Sequence, residues 1–236
     1  MGTLYIVATP IGNLQDLSLR AIDILTRVKI IACEDTRHTG LLLKYIRENK
    51  LSTQNVVEPT LLSYYEQNEF KRIPQVLNAL SNGLDVALVS DAGTPTISDP
   101  GFKLVRECIK NGIRVESIPG PSSLISALVV SGLPTDKFLF LGYPLNKEGR
   151  RKKLFRSLTI IQRSIKVTYI LFEAPHKLLK TLQELQEAFG NIDIVLAREL
   201  TKIHEEIRRE KISESIEHFS KVLPKGEFVV LFHLES

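Results

Sequence analysis

Through the first half of the chain, short apolar runs alternate with longer segments whose apolar residues recur every three or four positions. Residues 4–8, 29–32, 61–65, 85–90 and 114–118 have the length and β-branched content of strands. Residues 17–26, 40–47, 70–82 and 100–111 carry helical periodicity between them. Strands separated by helix-length segments predict βαβ units and a mostly parallel sheet. Val86-Ala87-Leu88-Val89 is continuously apolar, as a central strand covered on both faces requires. Asp99 ahead of Pro100 predicts a capped helix start, and Asn111-Gly112 a left-handed exit.

Pro119-Gly120-Pro121 interrupts this pattern, with Ser122 or Ser123 placed to cap a helix running to Val130. The break predicts two α/β domains, an amino-terminal one over 1–118 and a carboxy-terminal one over 119–236. In the second, strands are expected at 138–141, 167–172, 192–197 and 227–234, with helices at 175–188 and 213–221. The charged stretch 205–209 reads as a further short strand, so this half is expected to be a mixed sheet with helices.

Composition narrows the class. A hydrophobic share of 43% supports a packed core. Apolar runs fall short of membrane-spanning length and the first residues lack a basic-then-apolar leader, so no membrane contact and a cytoplasmic location are expected. Cys33 and Cys108 form no CxxC pair and read as reduced thiols. His176 and His204 lack partners at zinc-site spacing, so no metal is expected. Lys plus Arg exceed Asp plus Glu by 31 to 27, which permits contact with a polyanion without requiring it. The excess concentrates at Arg150, Arg151, Lys152 and Lys153, with Lys147 and Arg156 nearby. That stretch reads as a flexible basic loop entering a helix, suited to RNA phosphates and equally to a solvated face. Tyr64, Tyr65 and Tyr143 suit either base stacking or packing.

The candidate chemistry lies where the first-domain strands end. Thr9-Pro10-Ile11-Gly12-Asn13-Leu14, Glu34-Asp35-Thr36-Arg37-His38 and Ser90-Asp91-Ala92-Gly93-Thr94-Pro95 all follow predicted strands. In an open parallel sheet that edge is the ligand crevice. A glycine-series dinucleotide fingerprint, a phosphate loop and a G-x-S-x-G elbow are all missing, which disfavours a dehydrogenase, a P-loop NTPase and an α/β-hydrolase. Either Glu34 or Asp35 can orient or deprotonate a hydroxyl, and Arg37 can hold a phosphate. The same residues equally describe a helix start, with Asp35 or Thr36 as cap and Arg37 paired to a carboxylate.

Taken in order, the blocks TPIGNL (9–14), EDTRHTGLLL (34–43), SDAGTPTISDPG (90–101), PGPSS (119–123), SGLPTDKFLFLGYP (131–144), FEAPHKL (172–178), AREL-TK (197–202) and KGEFVVL (225–231) cover nearly the whole chain. They resemble the bacterial ribosomal RNA small-subunit methyltransferase I family, in the tetrapyrrole-methylase-like class. The resemblance implies S-adenosylmethionine-dependent 2′-O-methylation of a cytidine in the decoding region of 16S rRNA, within the small ribosomal subunit. It also implies a homodimer with the cofactor in a cleft between the two domains. It points to Pro10, Asp91, Gly93, Thr94 and Ser122 at the cofactor, with Phe172 and Ala197 approaching from the second domain. Glu34, Asp35, Arg37 and His38 are the expected catalytic group, and Asn13 with Arg150–Lys153 the expected RNA contacts. Gly142-Tyr143-Pro144 stands where relatives show Gly-Phe-Leu-Pro, and no histidine precedes Asn68-Glu69. Two alternatives remain from the same class: a small-molecule methyltransferase acting on a tetrapyrrole-like substrate, and a noncatalytic RNA-binding protein.

Overall fold

The computed structural model describes residues 1–51 and 57–234, which divide into two compact units, Met1–Ser122 and Ser123–Ser236. Pro119-Gly120-Pro121 therefore stays with the first unit.

In that unit β1 (Thr3–Val7), α1 (Leu19–Arg27), β2 (Ile30–Cys33), α2 (Thr36–Glu48), β3 (Thr60–Ser63), α3 (Glu69–Ser81), β4 (Val86–Val89), α4 (Phe102–Lys110) and β5 (Arg114–Ile118) follow one another. The strands form a parallel sheet in the order β3-β2-β4-β1-β5. Successive side chains of a strand point to opposite faces, and both faces are covered. Tyr5, Val7, Ala87 and Val89 pack with α1 and α2 through Leu25, Leu43 and Ile46. Leu4, Ile6, Val86 and Leu88 pack with α3 and α4 through Ile73, Val76 and Leu104. This accounts for the unbroken apolar run in β4.

The strand order has a consequence for function. From β1 the chain crosses past β4 to reach β2, whereas from β4 it crosses past β1 to reach β5. The two crossovers leave in opposite directions, so a crevice opens where β1 and β4 end. Thr9 and Gly93 close that point with paired backbone hydrogen bonds of 2.9 and 3.0 Å.

The predicted helix start at Asp99 is not observed. Gly101 caps α4 instead, at φ +129°, where a Cβ would lie 2.6 Å from Leu88 Cδ2. Its N–H donates to the buried carboxylate of Glu69 at 2.9 Å. That carboxylate also accepts from Tyr64 Oη at 3.0 Å and pairs with Lys103 Nζ at 2.8 Å. Tyr64 is thus fully buried and holds this loop from below, leaving it unable to stack on a base.

The second unit contains α5 (Ser123–Ser131), β6 (Phe138–Phe140), α6 (Glu148–Ser164), β7 (Thr168–Glu173), α7 (Pro175–Phe189), β8 (Asp193–Arg198), β9 (Glu206–Lys211), α8 (Ile212–Lys221) and β10 (Phe228–His233). Its sheet, β6-β7-β10-β8-β9, is mixed: β6 and β7 run parallel and the other pairs antiparallel. The core joins Tyr169, Leu196, Val230 and Phe232 to α6, α7 and α8 through Phe155, Leu182 and Phe219. The basic segment corrects an expectation. Arg150–Lys153 are helical, and Arg151 turns inward, 5% exposed, forking the carboxylate of Glu184 and donating to Leu145 O at 2.9 Å. Lys152 pairs with Glu187 at 2.7 Å, so Arg150 and Lys153 are the two exposed cations of the four. Among the described residues no helix is long and apolar enough to cross a membrane.

Candidate active site

The loop after β2 turns directly into α2, and Asp35 is the residue that starts the helix. Its carboxylate accepts from Arg37 N at 2.8 Å, satisfying an amide that the first helical turn leaves free. The Arg37 guanidinium then forks the same carboxylate, with Nη2 2.6 Å from Oδ2. The Arg37 hydrogen bonds hold the Asp35 carboxyl well below the usual carboxylate range. Of the two open readings of this stretch, the helix start describes Asp35 and Arg37. An acid so stabilised as its anion is a poor proton acceptor.

Glu34 and His38 are placed differently. The loop after β4 brings Asp91 beside them: Oδ1 accepts from Asp35 N at 3.0 Å, and Oδ2 lies 3.0 Å from His38 Nδ1. Glu34 is half-buried, and burial, followed by the charges of Asp99 and Asp91, pushes its carboxyl up. Asp99 is likewise pushed up by burial and by Asp91, against an opposing hydrogen bond from Ser90. A cavity of about 290 Å³ lies against His38 and Asp91, between the starts of these loops. Pro10, Leu14, Leu41 and Leu42 give it apolar walls, and Thr9, His38, Ser90 and Asp91 give it polar ones. Convergent polar groups in an apolar recess are the usual make-up of a ligand site.

The remaining expected residues fall into two sets. Gly93, at φ +80°, holds the Thr9 bridge, and Thr94 Oγ1 donates to Pro121 O at 3.0 Å, tying the β4 loop to the segment ahead of Ser122. Pro10, Asp91, Gly93, Thr94 and Ser122 therefore all belong to the first unit. Asn13 is exposed and its side-chain oxygen accepts from Gln15 N at 3.0 Å, capping a short 3₁₀ turn. In the second unit Phe172 meets Phe140 and Tyr143 edge-on, with centroids 4.8 and 5.6 Å apart. Ala197 is fully buried in β8. Glu69, Ser90 and Asp99 enter the site region without having been singled out as site residues, because their roles depend on burial and on partners distant in sequence.

Three donors, from Asp35, His38 and Asp91, lie within 4.8 Å of one another. Asp35 is already committed to Arg37 and the helix start. Glu34 and Asp99 are a second pair of acids next to Asp91, and burial pushes both carboxyls up. Removing one such charge is expected to stabilise the fold. A carboxyl pushed up in the native state disfavours folding as pH rises beyond its ordinary range, because the unfolded chain ionises first. Asp99→Asn is therefore expected to melt higher than wild type at neutral pH, with the gap closing as pH falls into the carboxylate range. Thermal melts across that range check this, and a gap independent of pH rules it out.

Residues 3–215 match the family of tetrapyrrole (corrin/porphyrin) methylases. A ribosomal RNA small subunit methyltransferase I of Thermotoga maritima is 46% identical over 231 residues, covering 98% of each chain. Its Hydrogenobaculum counterpart is 48% identical, covering 99% of this chain and 96% of the other. The chain belongs to this methyltransferase family. Its fold is shared with the uroporphyrin-III C-methyltransferase of Thermus thermophilus complexed with S-adenosyl homocysteine, at TM-score 0.63 and 14% identity, covering 98% and 97% of the two chains. For the methyltransferase family member described here, the EDTRH and SDAGTP motifs are the two loops that Asp91 joins.

Proposed function

We propose that this methyltransferase transfers a methyl group from S-adenosylmethionine to the 2′-oxygen of a cytidine in the decoding region of 16S rRNA, within the small ribosomal subunit and as a homodimer. The observation that carries the reading is the His38–Asp91 contact on the wall of a cavity at the sheet's switch point. Pro10, Asp91, Gly93, Thr94 and Ser122 are the first-unit residues that hold the cofactor, and the negative charge of Glu34, Asp91 and Asp99 complements its cationic portion. Bound there, S-adenosylmethionine supplies an electrophilic methyl carbon.

The chain's own residues then manage the hydroxyl. Beside a carboxylate, the neutral His38 ring keeps its proton on Nδ1, so Nε2 presents a lone pair. Nε2 accepts the ribose hydroxyl proton, and Asp91 orients the ring and stabilises its charged form. Asp91 is itself fixed by the Asp35 amide, so the helix start aligns the dyad. Pre-set alignment of this kind removes orientational cost from the reaction. Arg37, 85% exposed at its side chain, stands beside the dyad, where a phosphate can bind. Arg150 and Lys153 are the second-unit residues left to contact RNA, Arg151 and Lys152 being committed to α7.

Labelled-methyl transfer to unmodified small subunits and to stripped 16S RNA, followed by nucleotide mapping, tests the proposal. Label on a cytidine 2′-oxygen is expected. Label on another atom, or transfer only to a tetrapyrrole, replaces it.

A further inference from the structure

Two phenylalanines stand in solvent at the edge of the first sheet that carries His38 and Asp91. Phe70 is 75% exposed and Phe102 63%, and they occupy the first turns of α3 and α4. A helix that follows a parallel strand starts where the strand ends, so both rings lie on the strand-carboxyl edge. Each carries a cation: Lys103 Nζ sits 4.3 Å from the Phe70 centroid and Arg106 Cζ 5.8 Å from that of Phe102. Lys103 is aimed there by the buried Glu69, 2.8 Å from its ammonium, and Glu69 also holds Gly101 N at the end of the β4 loop.

We propose that Phe70, Phe102, Lys103 and Arg106 form a stacking platform for unpaired nucleotides flanking the methylated one. The inference rests on the reading of this protein as an RNA methyltransferase and names a surface that the reading does not include. Exposed aromatic rings flanked by cations match single-stranded RNA, whose bases stack on the rings while a phosphate meets Arg106, Lys103 being held against Phe70 by Glu69. A purely apolar partner leaves Lys103 and Arg106 desolvated and is disfavoured by them. The platform and the β4 loop share Glu69, so the RNA flank is held by the same network that fixes the cofactor loop.

The test uses the full chain with Phe70→Ala/Phe102→Ala, Phe70→Tyr/Phe102→Tyr and Arg106→Ala. Readouts are binding of a dye-labelled single-stranded oligoribonucleotide, methyl transfer to stripped 16S RNA and to small subunits, cofactor affinity and thermal stability. The double alanine variant is expected to bind the oligonucleotide about tenfold more weakly or worse. KM for stripped RNA should rise in step while kcat, cofactor affinity and melting temperature hold. The tyrosine pair should restore binding, and Arg106→Ala should flatten the salt dependence by about one phosphate contact. Unchanged oligonucleotide binding overturns the proposal. So does a loss confined to whole subunits, which assigns the surface to a ribosomal protein. A wild-type chain that binds the oligonucleotide through these residues yet transfers no methyl group retains the platform and removes the methyltransferase reading.

Discussion

Arg151→Ala is expected to destabilise the protein by about 3–5 kcal/mol, because it strands a buried carboxylate. Arg151 and Glu184 have side chains only 6% exposed, and the guanidinium satisfies both carboxylate oxygens together with the carbonyl of Leu145. Truncating the arginine removes those donors while Glu184 stays between α6 and α7. Replacing both partners with apolar residues, as in Arg151→Met/Glu184→Leu, should recover most of the loss, since burying an ion pair gains little over packed hydrocarbon. Arg150→Ala and Lys153→Ala, on the exposed side of the same helix, should change stability by no more than about 0.5 kcal/mol. Those two should instead weaken RNA binding and lower its salt dependence. Denaturant unfolding of all four variants checks the division. Wild-type stability in Arg151→Ala would sink it.

This contrast shows what kind of information the chain carries locally. Four consecutive cations look alike in sequence, and only the long-range pairing of α6 with α7 separates the structural arginine from the exposed ones. The same limit applies to Glu69, whose burial is invisible until Tyr64, Gly101 and Lys103 converge on it. Asp99-Pro100 is a good local start signal, yet Asp99 does not cap α4. The loop instead needs Gly101 at a positive φ against Leu88, which moves the helix start onward. By contrast, β4 was legible from four apolar letters, since covering both faces of a central strand leaves no other pattern. The three motif loops were also legible as neighbours, because the topology of parallel strands alone brings their ends to one edge. What the sequence left open was the division of labour within Glu34–His38. Asp35 and Arg37 satisfy each other, and Asp91, from more than fifty residues away, pairs with His38, which makes that histidine the proposed base.

That pairing leads to the largest expected effect on activity. His38→Ala should lower kcat for methyl transfer by about 10²–10⁴-fold, the usual contribution of a positioned acid–base group, while the cofactor still binds. Asp91→Asn tests the orientation directly. Its amide oxygen can still accept from Asp35 N, but the amide nitrogen then faces His38 Nδ1. That arrangement moves the ring proton to Nε2, the atom needed as acceptor, so a comparable loss is expected with little change in fold. Because the two residues act as one unit, the double variant should be scarcely slower than either single one. Cofactor affinity, measured separately for each variant, distinguishes a failed dyad from a damaged pocket. If the two losses multiply, the base is another group, and Glu34, a carboxyl beside Asp91 that burial and neighbouring charge push up, is the next residue to test.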